Sequence, residues 1–192
     1  ETQIKSFIEK LVGPIGPSPV EQALAAAENE LDNNNFDAAE NLFLQVISYD
    51  SMNPEAIAGL AKVYINNKEI DKAKEILDGV TDEIIDHESI KSAKSALSLA
   101  EGNSGSFDTS SLLETIKKDP KNLQARFELA TALASEKKFE EAIDNLLEIM
   151  KKEKNWNNEQ AKEKLLKIFE VLGPNDELTH ISRRKLSSII FS

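Results

Sequence analysis

Residues 54–79, PEAIAGLAKVYINNKEIDKAKEILDG, decide the fold. Leu60, Ala61 and Tyr64 sit at helical spacing, an Asn66-Asn67-Lys68 turn interrupts them, and Ile70, Ala73 and Leu77 resume the pattern. That is two short amphipathic helices joined by a tight turn. The same order returns as Leu129, Ala130, Leu133, then Phe139, Ala142 and Leu146, and more weakly as Ala26, Ala27, then Phe36, Ala39 and Phe43. The alanine of each second helix falls at 39, 73 and 142, so the first interval is 34 residues and the second is about twice that.

A 34-residue period carrying a helix pair per unit is the tetratricopeptide repeat (TPR) pattern. Such a unit cannot bury its apolar face alone, so successive pairs stack into a solenoid. The expected class is all-α, a TPR-like helix-turn-helix solenoid with a C-terminal capping helix pair. Solenoids of this kind bind other proteins far more often than they catalyse reactions.

Working outward, helix pairs are predicted at 19–33 with 36–50, 54–67 with 70–79, 85–101 with 108–118, and 122–136 with 139–153. Four TPR-like pairs thus fill residues 20–153. Asn33-Asn34-Asn35, Asn66-Asn67-Lys68 and Glu136-Lys137-Lys138 occupy equivalent turns, and Pro54 and Pro120 mark repeat junctions. The third pair is degenerate. Gly102-Asn103-Ser104-Gly105-Ser106 widens its turn, and KSAKSALSLA before it is thin in large side chains, which predicts the most mobile part of the solenoid. Residues 154–192 hold two further helices, about 157–172 and 176–190, parted by Gly173-Pro174-Asn175.

At the other end, ETQIKSFIEKL places Ile4, Phe7, Ile8 and Leu11 on one helical face. A helix of three turns is not stable alone in water and needs something to dock on. Residues 13–19, GPIGPSP, hold three of the chain's six prolines and read as an extended linker. Ser18, Pro19 and Glu21 then supply an N-cap, a first-turn proline and an acidic first turn.

With 40% hydrophobic and 6% aromatic residues among 192, the core is one of stacked small ridges. A net charge of -11 argues against nucleic acid, whose binding needs a cationic surface to release counterions. The charge is uneven. Residues 151–192 carry nine Lys or Arg against six Asp or Glu, net +3, leaving about -14 for residues 1–150. There is no cysteine, hence no thiol chemistry, and no apolar run of about 18 residues that would span a membrane.

No catalytic, metal or cofactor site is expected. His87 and His180 lack a second His or Cys at ligand spacing and read as solvated or capping residues. No nucleophile elbow and no phosphate-binding glycine loop is present. Surface carboxylates such as Glu136, Glu140 and Glu141 read as a solvated helix face with lysine partners. The chain is read as not an enzyme.

Two surfaces remain. The concave face should present Leu24, Leu31, Ala58, Ile65, Phe127 and Ala134, a mildly apolar groove for a helix or a non-native segment, or else a seat for a neighbouring helix of the chain. The positions that grip a carboxylate in other TPR domains hold Leu24, Glu28, Ala58, Lys62, Phe127 and Thr131, which is not a carboxylate clamp. The final helix carries Leu186, Ile189, Ile190 and Phe191 beside Arg183 and Arg184. That stripe either seals the last helix onto the cap or inserts into a partner.

The ETQIKSFIEKL helix, the GPSPVEQ junction and the ending HISRRKLSSIIF together resemble the C-terminal TPR part of bacterial chaperedoxins, thioredoxin-like co-chaperones. The resemblance implies that residues 1–12 are the terminal helix of a thioredoxin-like domain upstream of Glu1. It implies a cytoplasmic holdase of the stress response that keeps unfolded client proteins soluble. It further implies docking on a GroEL-type chaperonin through Arg183, Arg184, Leu186, Ile189, Ile190 and Phe191. No cofactor, nucleic acid or membrane enters that picture.

Overall fold

The computed structural model describes residues 17–101 and 108–191, and all its regular elements there are α-helices. They are α1 (Pro19–Asp32), α2 (Phe36–Tyr49), α3 (Pro54–Asn66), α4 (Ile70–Asp78) and α5 (Glu88–Glu101). Then follow α6 (Thr109–Lys118), α7 (Leu123–Ser135), α8 (Phe139–Lys152), α9 (Gln160–Leu172) and α10 (Glu177–Ile190). The amphipathic segment within residues 1–12, the linker as far as residue 16 and the Gly102–Ser106 turn lie outside the described residues.

Each hairpin is closed by the same local chemistry. The first helix ends with a residue in the left-handed region: Asn34 at φ 60°, Lys68 at φ 62° and Lys137 at φ 60°. The amide of Asn34 reaches Leu31 O at 3.0 Å and that of Asn35 reaches Glu30 O at 2.8 Å. Lys68 and Glu69 repeat this pair of bonds on Ile65 and Tyr64, and Lys137 and Lys138 repeat it on Ala134 and Leu133. This is the Schellman cap, which satisfies carbonyls the helix end would leave bare. The opposite ends use side chains. Ser18 and Glu21 form a capping box, Asn53 Oδ1 accepts the Ala56 N–H at 3.0 Å, and Asn122 Oδ1 accepts the Ala125 N–H at 2.9 Å.

The periodic positions are the buried ones. Ala27, Ala39, Ala61, Ala73, Ala130 and Ala142 are fully inaccessible, because a methyl group is all that fits where helix backbones come close. One core runs from Leu24 to Leu97 and contains Phe43, Leu60 and Leu77. A second runs from Leu99 to Ile189 and contains Leu146, Leu165 and Phe169. They meet along α5.

Three of the expected hairpins form: α1 with α2, α3 with α4, α7 with α8. The third does not close in the same way. Among the described residues α5 packs mainly on α3 and α9, whereas α6 lies on α7 and buries no residue completely. The small residues of α5 explain this. Ser89, Ser92, Ser95 and Ser98 recur every three positions, leaving a shallow strip that admits another helix backbone.

Candidate functional site

Helix α9 takes that place. The turn before it holds Asn157, Asn158 and Glu159 all left-handed, at φ 45°, 55° and 65°. Asparagine tolerates this region better than most residues, and the run delays the helix from the expected residue 157 to Gln160. The chain is thereby turned inward across α5. Lys167 Nζ donates to Ser98 Oγ at 2.7 Å, and Ser95 Oγ donates to a Glu170 carboxylate oxygen. Ala161, Leu165, Ile168 and Phe169 are inaccessible or nearly so, which makes α9 a permanent part of the second core.

The expected concave groove is therefore divided. Leu24, Ala58 and Ala134 are buried, Ala58 at the wall of a separate cleft that Glu170, Val171 and Leu172 of α9 also line. Leu31 and Ile65 line an open cleft of about 420 Å³ together with Val171 of α9 and Lys137 of the α7–α8 turn. Phe127 lies against Trp156, with ring centroids 5.2 Å apart, and Lys164 Nζ stands 5.4 Å from the centre of its ring. Burial, with a smaller push from Lys167, lowers the pKa of Lys164. No continuous trough joins the six residues, because the chain's own helix lies among them.

Lys62 projects between α1 and α9. Burial lowers its pKa, while the carboxylates of Glu28 and Asp32 act in the opposite direction. The Tyr64 hydroxyl donates to Glu40 Oε1 at 2.9 Å, tying α3 to α2, and burial followed by this bond pushes its pKa up to about 12.

The stripe on α10 also divides. Leu186 and Ile189 are 8% and 7% exposed and belong to the second core, and Thr179 and Ser182 beside them are fully buried. Arg183 and Arg184 are on the outer side, Arg183 with its guanidinium carbon 5.6 Å from the centre of the Phe169 ring. Ile190 and Phe191 are 40% and 86% exposed. The sealing residues and the exposed residues alternate along one helix, as its 3.6-residue period dictates. Arg184 and Phe191 share the outward face of the helix, flanked by the exposed Ile181 on one side and Ile190 on the other.

His87 is exposed and caps α5, its Nδ1 accepting the Ser89 N–H at 3.3 Å; His180 is exposed. Among the described residues no three His, Cys, Asp or Glu side chains are grouped to hold a metal ion, and no helix is long and apolar enough to cross a membrane. What the sequence did not reveal is the α5–α9 pairing. Its trace was the serine spacing.

Two family models match the chain, both described as tetratricopeptide repeat, over residues 30–97 and residues 103–191. No curated protein matches it. Among solved structures it is similar to a domain of protein VP0806, of unknown function, from Vibrio parahaemolyticus. That match has 24% identity and a TM-score of 0.41 and covers 88% of this chain and 98% of that one. It is also similar to a point mutant of MamA, at 17% identity and a TM-score of 0.40, over 88% of this chain and 96% of that one. With its hairpins, its buried alanines and these two matched segments, the chain carries a tetratricopeptide repeat region in an all-helical, TPR-like fold.

Proposed function

We propose that this protein is a protein-binding co-chaperone module that holds unfolded clients and docks on a GroEL-type chaperonin through the outer edge of α10. The observation that carries the docking half is the pair Ile190 and Phe191, apolar and exposed beside Arg184 on a helix whose other face is fully committed. Exposed aromatic and arginine side chains at the edge of a rigid element are the usual anchors of a protein interface. The resemblance of the RRKLSSIIF ending to chaperedoxins supports the choice of partner, and on that reading residues 1–12 derive from a thioredoxin-like domain. Cytoplasmic holdase activity is part of the same proposal.

The division of α10 decides the experiment. Deleting residues 177–192 would strip Leu186 and Ile189 from the second core, so loss of binding would be ambiguous. Ile190→Ser with Phe191→Ser removes the exposed surface only. Expected is loss of co-migration with a GroEL-type chaperonin in size-exclusion chromatography, with helical content unchanged. Undiminished co-migration would place the docking surface elsewhere. A second reading, a TPR scaffold for another complex, would appear as a single stoichiometric partner and no suppression of client aggregation in light scattering.

A further inference from the structure

Four residues of α10 face inward along one stripe: Thr179, Ser182, Leu186 and Ile189, at the three- and four-residue steps of a helix. Leu186 and Ile189 close the second core. The other two are hydroxyl side chains, 0% exposed, and neither Thr179 Oγ1 nor Ser182 Oγ has a hydrogen-bond partner among the described residues. Buried polar atoms are almost always paired, because leaving one bare forfeits the bond it makes with water. Half of the stripe that holds α10 in place thus works against its docking.

The polar attachments of α10 are weak. Lys185 Nζ meets Asp144 Oδ1 at 3.2 Å with both side chains more than half exposed, and solvent screens such a pair. Lys154 Nζ donates to Ile190 O at 3.3 Å, and Arg183 stands over Phe169 from the outer side. The turn before the helix is open. Gly173 has φ 89°, and a Cβ placed there would meet nothing within 4 Å. The N-terminal cap of α10 is its own: Asp176 Oδ1 accepts the Thr179 N–H at 3.0 Å, a bond that travels with the helix.

We infer that α10 is a detachable lid. It swings off α8 and α9 as a unit about the Gly173-Pro174 turn, giving the hydroxyls of Thr179 and Ser182 to water, while α9 and the hairpins stay folded. The contrast with α9 fixes which helix moves: its inward residues Ala161, Leu165, Ile168 and Phe169 are all apolar and at most 2% exposed. The open form adds Leu186 and Ile189, and the side of α8 on which they pack, to the exposed Ile190 and Phe191. This device belongs to the chain itself and stands whether or not the α10 edge docks on a chaperonin.

The test is native-state hydrogen exchange of the intact chain in low urea, followed residue by residue by NMR. The hydrogen-bonded amides of α10 are expected to share one opening constant that rises with urea and exceeds that of α8 and α9 by about a hundredfold or more. Thr179→Val with Ser182→Ala removes both bare hydroxyls and should lower that constant by roughly tenfold or more. Ser187→Ala, on the exposed side of the helix, controls for helix propensity and should lower it by less than about threefold. A double variant whose α10 opens no less readily than this control would overturn the inference, because the hydroxyls would then have partners in solution. So would amides of α10 that open only with α8 and α9. Protection that declines smoothly toward residue 190 without responding to urea would overturn it too, since that is end fraying and not release of a unit.

Discussion

Gly59 faces the ring of Phe43, and substituting it tests how the first hairpin meets the second. A methyl carbon on Gly59 would lie 2.3 Å from Cε1 and Cζ of Phe43 and 2.8 Å from Cε2. Carbon atoms prefer about 3.5–4.0 Å, so the ring would have to retreat by more than about 1 Å. Phe43, on α2, is 1% exposed and belongs to the first core, so its ring moves only by disturbing its neighbours there. Overpacking of this kind costs about 1–3 kcal/mol, against a gain of about 1 kcal/mol for alanine over glycine inside a helix. Gly59→Ala should therefore destabilise the protein by about 1 kcal/mol. In a Phe43→Leu background the ring is gone, the new methyl partly fills the vacated space, and the same change should stabilise by a similar amount. The sign reversal amounts to a coupling of about 2 kcal/mol between two residues in contact. Urea unfolding of the four proteins followed by far-UV circular dichroism measures it. If Gly59→Ala raises the midpoint equally in both backgrounds, the close approach of α3 to Phe43 is not real.

The left-handed caps give a second prediction: Lys68→Gly and Lys137→Gly should each raise stability by about 0.5–1 kcal/mol, since a Cβ there is strained, and Asn34→Gly should gain less. Thermal unfolding that shows no gain for either lysine would refute the assignment of strain. For Tyr64, the folded-state pKa of about 12 lies above the unfolded value near 10. The stability its hydroxyl contributes is thus complete below pH about 10 and disappears as the pH rises through about 12. Tyr64→Phe should be less stable than the parent by about 1 kcal/mol at neutral pH, with the gap closing over that alkaline window. On α10, Leu186→Ala should cost about 2–4 kcal/mol, whereas Phe191→Ser should change stability by less than about 0.5 kcal/mol. Equal effects at the two positions would mean that the helix is turned differently from the arrangement described.

The hairpins could be read from the sequence because their determinants are local. The alanines at 39, 73 and 142, a polar turn five residues before each and an Asn or Ser before the first helix of each of these three hairpins are visible without knowing the partner helix. The α5–α9 contact joins residues about 70 positions apart, and no short-range signal specifies it beyond the serines of α5. The same fact explains the candidate surfaces. Helical periodicity assigns Leu24, Leu31, Ala58 and Ile65 to one side of the first hairpins, but it does not foresee that a later helix would supply Val171 to the cleft that Leu31 and Ile65 line. Likewise it placed Leu186 through Phe191 on a single apolar strip. Only the packing of α10 on α8 separates Leu186 and Ile189, which face inward, from Ile190 and Phe191, which do not.

The inward course of α9 changes how this chain must assemble as it is made. A linear repeat array can settle unit by unit while synthesis continues, each helix pair leaning only on the one before it. Here α5 meets its second partner only after Glu170 has been added, 75 residues beyond Ser95. Until then the side of α5 that carries Ser95 and Ser98 lacks its partner helix. Closing so distant a contact slows folding relative to neighbouring pairs and postpones the stable state until α9 has emerged.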